Sequence, residues 1–159
     1  MAYINASGAG NFATLVVSTA TITSSTASDV ISVPGMQNIT LNNGNGVFRW
    51  KQLDSGSEKA VSIPATNQVS LNVVLDDTAF FGDGVGDVTA VDKGLFKLSN
   101  DKNLVQFRLY WNGTGSGKRY VEGEGYFTGV APTVSPDQPV WVSPLTIEVV
   151  GDYTTGADA

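Results

Sequence analysis

The stretch NQVSLNVVLDD, residues 67–77, alternates without a break, with Val69, Leu71, Val73 and Leu75 on one side and Gln68, Ser70 and Asn72 on the other. Successive side chains of an extended chain point to opposite faces, so a period of two marks a strand with one face buried and one in water. A helix would scatter the same residues around its axis. LVQFRLYW (104–111), RYVEGEGYFTG (119–129) and VSPLTIEVV (142–150) repeat the pattern, and half-buried strands of this kind belong to an antiparallel sheet. Aligning their polar faces puts Gln68, Ser70 and Asn72 beside Gln106 and Arg108, then Glu122 and Glu124, then Thr146 and Glu148. Four strands are thus expected to share one hydrophilic wall.

Residues 12–22 are rich in β-branched side chains and are expected as a first strand. VISVPGMQNITL (30–41) and VFRWKQL (47–53) flank NNGNG, whose residues accept positive φ at little cost, which predicts a hairpin turning at 42–46. LDSGSEKA (53–60) has the composition of a polar loop tip. Between 82 and 103, Val88, Val91, Leu95 and Leu98 recur at helical spacing, which predicts one short amphipathic helix with Asp87 as its N-cap, weakened by Gly94. Asp83, Asp87 and Asp92 lack the spacing of a calcium loop. Capping and solvation account for them, and no metal is expected.

A chain of 159 residues fits one domain. Charged residues make up 15% of it, against about 25% in an average globular protein, which suits a β-rich fold with many turns. The net charge of −6, with only nine scattered basic residues, argues against a clamp on nucleic-acid phosphates. With neither cysteine nor histidine, the chain has no disulfides, thiolate nucleophiles, Cys/His zinc sites or imidazole triads. The opening MAYINASGAGNFATLVV lacks the pattern of a signal peptide, and no apolar run approaches 18 residues, so a soluble cytoplasmic product without a membrane partner or cofactor is expected. Residues 1–28 carry no charge. Their first part, 1–11, with Tyr3 and Ile4, is expected to form an arm that docks on a neighbouring subunit.

KRYVEGEGYFTG, residues 118–129, holds the one carboxylate pair that invites a catalytic reading. Glu122 and Glu124 lie on one face of a strand, roughly 6.6 Å apart, and an inverting glycosidase separates its carboxyls by roughly 6.5–9.5 Å. A general acid also needs apolar cover to raise its pKa, and the neighbours Gly123 and Gly125 supply little. A solvated strand face is the simpler reading, and no enzyme is expected.

From about residue 30 onward the order of signals resembles the tail-tube proteins of long-tailed bacteriophages. The resemblance rests on the aromatic strand VFRWKQL, on VSLNVVLDD followed by one helix, and on the closing hairpin in which GYFTG leads through SPDQP to LTIEVVGDYT. The Ser/Thr-rich stretch 18–28 departs from the family pattern.

That resemblance implies a mainly β, sandwich- or barrel-like antiparallel fold with one flanking helix. It also implies six copies in a ring, and rings stacked into a tube that DNA traverses without specific binding. The polar wall then lines the lumen, where carboxylates repel passing phosphates. Residues 42–66 match the position of the family's long loop that reaches the adjacent ring, and Phe48, Trp50 and Leu53 beside it are candidates for that contact. Partners would be the chain itself and other tail proteins, and assembly would take place in a bacterial cytoplasm. Two other readings stay open. One is a sugar-binding or adhesive module using Trp50, Trp111 and Trp141 as stacking platforms. The other is a related virion component such as a tail-terminator or head-decoration protein.

Overall fold

The computed structural model describes residues 13–54 and 56–159. The expected arm at 1–11, with Tyr3 and Ile4, lies outside them. Along the chain come β1 (Thr14–Ser18), β2 (Ile31–Ser32), β3 (Met36–Lys51), β4 (Glu58–Val74), α1 (Asp77–Phe81) and α2 (Ala90–Asn100). β5 (Val105–Tyr110), β6 (Arg119–Thr128), β7 (Thr133–Ser135) and β8 (Gln138–Ala157) complete it. The strands form one antiparallel sheet in the order β2-β1-β5-β6-β8-β4-β3, with β7 pairing β8.

The alternation in 67–77 does what its period requires. Val69, Leu71 and Val73 are buried, and they join Leu145 and Ile147 of β8, Phe127 of β6, Phe107 of β5 and Leu15 of β1 in one core. Leu95, Leu98 and Ala90 of α2 and Phe80 of α1 close that core from above. One face of the sheet and the helical layer thus share the apolar interior, which fits the mainly β expectation.

Three local expectations are corrected. NNGNG does not turn. β3 runs straight through it, and Gly44 and Gly46 are extended residues facing Thr66 and Ile63 on β4. A Cβ on Gly44 would lie 2.8 Å from the Thr66 carbonyl oxygen, and one on Gly46 would lie 2.6 Å from Ile63 Cδ1. These glycines therefore permit close approach across a ladder, at a bulge. The hairpin turns instead beyond Lys51, before Glu58.

The helical region holds two short helices. Asp76 caps α1 by accepting from the Ala79 N–H at 3.1 Å. The α2 cap is Thr89, in a reciprocal capping box with Asp92. Asp87 instead adopts positive φ and forms an ion pair with Lys97. Gly94 breaks α2 with φ of 74°, and a Cβ there would lie 2.3 Å from the Gly82 nitrogen.

The first strand stops at Ser18. The Ser/Thr-rich residues after it fold over the sheet in turns, with Ala27 N–H donating to the Ser24 carbonyl and Val30 N–H to that of Ala27.

Candidate functional site

The registers settle which polar side chains share a face. Gln68 stands opposite Glu148 and Ser70 opposite Thr146. Tyr126 also faces Glu148, and Thr128 faces Thr146. Gln106 pairs with Glu124, and Arg108 with Glu122. Directly opposed residues of antiparallel strands point the same way, so all nine residues of the expected wall lie on one face of the sheet. β3 adds Asn38, Thr40 and Asn42, opposite Asn72, Ser70 and Gln68.

That face is not open throughout. The connection from β1 to β2 covers its β5 part. The Ile22 N–H donates to Gln106 Oε1 at 2.7 Å, and Val16, Ile22 and Tyr110 form a second small core with Val30 and Tyr120 against them. Arg108 is only 8% exposed. Its Nε donates to Glu122 Oε2 at 2.8 Å and its Nη1 to Asp158 Oδ1 at 3.3 Å, and the guanidinium lies 4.1 Å from the centre of the Tyr120 ring. Tyr110 Oη also donates to Asp158, at 3.0 Å. Gln106, Arg108 and Glu122 were expected on an open wall. They instead pin the β1–β2 connection and the end of β8 onto the sheet.

Electrostatics follow this packing. Burial works against the Arg108 cation, but the Glu122 carboxylate and the Tyr110 hydroxyl outweigh it and raise its pKa. Burial pushes the Tyr110 phenol up, with Asp158 adding to the shift. Glu122 is committed to Arg108 and also accepts from Thr154 Oγ1 at 3.4 Å, so it is not half of a free carboxylate dyad with Glu124.

The open part of the face is carried by β6, β8, β4 and β3. Glu124 and Glu148 are exposed there, among Gln68, Ser70, Asn72, Thr128 and Thr146 and the β3 asparagines. Gln68 Nε2 donates to Glu148 Oε1 at 2.8 Å, and Asn72 Nδ2 to Asn38 Oδ1 at 3.3 Å. No basic residue stands among these side chains, so the two glutamates give a charge of −2. The alternation within each strand was enough to find the face. That β3 belongs to it, and that β5 is roofed over, depends on contacts between distant segments.

A second feature is the β3–β4 hairpin beyond Gly46. Phe48 pairs with Val61, Trp50 with Lys59 and Gly46 with Ile63. Phe48, Trp50, Val61 and Ile63 therefore share one side of a two-stranded arm. Phe48 is 57% exposed, its ring stacked on Trp50 at 5.8 Å. Leu53 lies beyond the strand, fully exposed. The third feature is an apolar groove of about 630 Å³ at the other end of β4, lined by Leu75, Phe80, Phe81, Phe96, Val140 and Trp141 with Asp76 and Asp77.

The three tryptophans do not converge. Trp50 is on the arm, Trp141 lines the groove, and Trp111 packs against the main core. Among the described residues no cluster of His, Cys, Asp or Glu is arranged to hold a metal ion, and no helix is long and apolar enough to cross a membrane.

The fold, a single antiparallel sheet with a helical layer, is similar to that of chains in solved structures of gene transfer agent particles. A chain in the tail of an empty gene transfer agent particle, refined helically with C6 symmetry, has a TM-score of 0.59 at 13% identity. The match covers 90% of this chain and 96% of that one. A chain in the virion of the native gene transfer agent particle has a TM-score of 0.56 at 11% identity, covering 90% and 95%. At the level of sequence, no family model and no curated protein matches. The likeness is one of fold.

Proposed function

We propose that the chain is a structural protein of a virion tail and, more finely, the subunit of a tail tube. Six copies form a ring, rings stack, and the β6-β8-β4-β3 face lines a lumen through which DNA passes without being held. The observation that carries this reading is the open acidic face itself, on a fold that spans nearly the whole of a gene transfer agent tail chain. An exposed sheet of amides, hydroxyls and carboxylates offers DNA no cation to bind. Arranged around a bore, Glu124 and Glu148 of each copy would repel every passing phosphate. Salt would screen that repulsion only beyond about 8–10 Å. A tube also needs each subunit to hold its neighbours, and the exposed arm and apolar groove are surfaces suited to that. The remaining partners are other tail proteins, and assembly takes place in the bacterial host.

Electron microscopy of the purified, concentrated protein is the test. Rings with sixfold symmetry, or hollow tubes built from them, are the expected result. Small single particles at every concentration, with or without tail extracts as nuclei, would count against it.

A further inference from the structure

We propose that the aromatic side of the β3–β4 arm of one copy seats in the Phe80–Phe81–Phe96–Trp141 groove of a second copy. The inference rests on the tube reading and specifies how successive copies would be joined.

The arm is unfinished as it stands. A two-stranded hairpin is marginally stable alone in water, yet this one extends through Lys51 and Glu58 with Phe48, Val61 and Ile63 each about half exposed. The groove is unfinished in the same way, since Phe81 is 64% exposed, Trp141 53% and Phe96 46%. Clusters of exposed aromatic residues mark contact sites more often than scattered ones do.

Charge favours the match. The arm, residues 46–63, carries Arg49, Lys51 and Lys59 against Asp54 and Glu58, a net of 3 − 2 = +1. The rest of the chain has six basic and thirteen acidic residues, a net of 6 − 13 = −7. The arm is thus basic while the rest of the chain, taken together, is acidic. Lys59 stands on its aromatic side opposite Trp50, and Asp76 and Asp77 line the groove.

Geometry makes the contact one between copies. Val61 and Val74 belong to the same strand, thirteen residues apart, which is about 43 Å of extended chain. The hydrogen-bonded ladder keeps the arm's aromatic side away from the groove of its own chain. Arm and groove sit at opposite ends of β4, so joining them between copies is a head-to-tail contact. Such a contact continues from copy to copy instead of closing a dimer.

The chain of 159 residues contains no cysteine, so a pair of introduced thiols reports unambiguously. Phe48→Cys with Trp141→Cys is expected to give a ladder of disulfide-linked multimers under mild oxidation, with tubes seen in parallel by microscopy. Phe48→Cys with Thr146→Cys, a position on the open face, is expected to give none. Tubes without a Phe48–Trp141 ladder would overturn the arm-in-groove contact and leave the tube reading standing. So would a Trp141→Cys thiol that joins one placed at Tyr3, which assigns the groove to the N-terminal segment. A ladder without rings or tubes would uphold the contact and sink the tube reading.

Charge exchange gives a second readout that does not depend on thiols. Lys59→Glu or Asp77→Lys alone should raise the concentration needed for assembly about tenfold or more, and the two together should restore it. Single variants with unchanged assembly would overturn the pairing.

Discussion

Replacing Arg108 by methionine tests whether the β5 part of the polar face is sealed. The substitution keeps the aliphatic length and removes the cation. It leaves the Glu122 and Asp158 side chains, 23% and 12% exposed, without their shared partner. Removing one member of a buried ion pair costs about 3–5 kcal/mol. Glu122 retains some water and its contact with Thr154, so the lower end, about 3 kcal/mol, is expected. That is a large share of a total stability of about 5–15 kcal/mol, and at this chain length it lowers Tm by roughly 6–12 °C. Thermal and urea unfolding followed by circular dichroism would measure it. Adding Glu122→Gln and Asp158→Asn removes the stranded charges, and the triple variant should regain most of the loss. A loss within about 0.5 kcal/mol, the range of ordinary exposed substitutions, would mean that Arg108 is solvated and that the sealing argument is wrong.

Gly94→Ala should destabilise the fold by roughly 2–4 kcal/mol, from positive-φ strain and overlap with the α1 end; an unchanged urea midpoint would refute the close approach of Gly94 to Gly82. Glu124→Lys with Glu148→Lys should leave folding and tube length intact while slowing DNA ejection from virions, and normal ejection would remove this face from the lumen. Burial, with Asp158 beside it, holds the Tyr110 phenol above its ordinary 10.0. Its contribution is therefore intact below about pH 10 and lost as pH rises through the folded-state value, so Tyr110→Phe should show a shallower alkaline decline in stability. The Thr89 and Val88 backbone N–H groups hold the Asp92 carboxyl below 3.8. The capping box therefore stabilises above that pH and fails as pH falls through the folded value, and Asp92→Asn should lessen the acid decline seen in unfolding curves.

The sequence was most informative where one local rule decided the outcome. Val69, Leu71 and Val73 had to be core once they alternated with Gln68, Ser70 and Asn72, and they are. It misled where two rules use the same residue. Glycines and asparagines serve turns, and they also serve bulges and close ladders. NNGNG could have done either, and only the length of β4 opposite decides for the ladder. The α1 helix does have a local signal, since Asp76 before DTAFF and Gly82 after it are an N-cap and a C-cap. For the open face, parity along each strand placed the side chains correctly, but the cover over Gln106 and Arg108 comes from Ile22, more than eighty residues away. Nothing local to β5 announces it.

The place of β8 in the sheet bears on how the protein is made. It is translated after the other described strands, yet it lies between β6 and β4 and supplies Val140 and Trp141 to the groove. Until β8 has emerged from the ribosome, β4 and β6 each present an unpaired edge and the groove lacks one wall. If the proposed arm-in-groove contact joins the copies, a growing chain could not receive the arm of a finished neighbour until β8 completes the groove. The same order exposes two long strand edges during synthesis, which is when such edges are most open to wrong pairing.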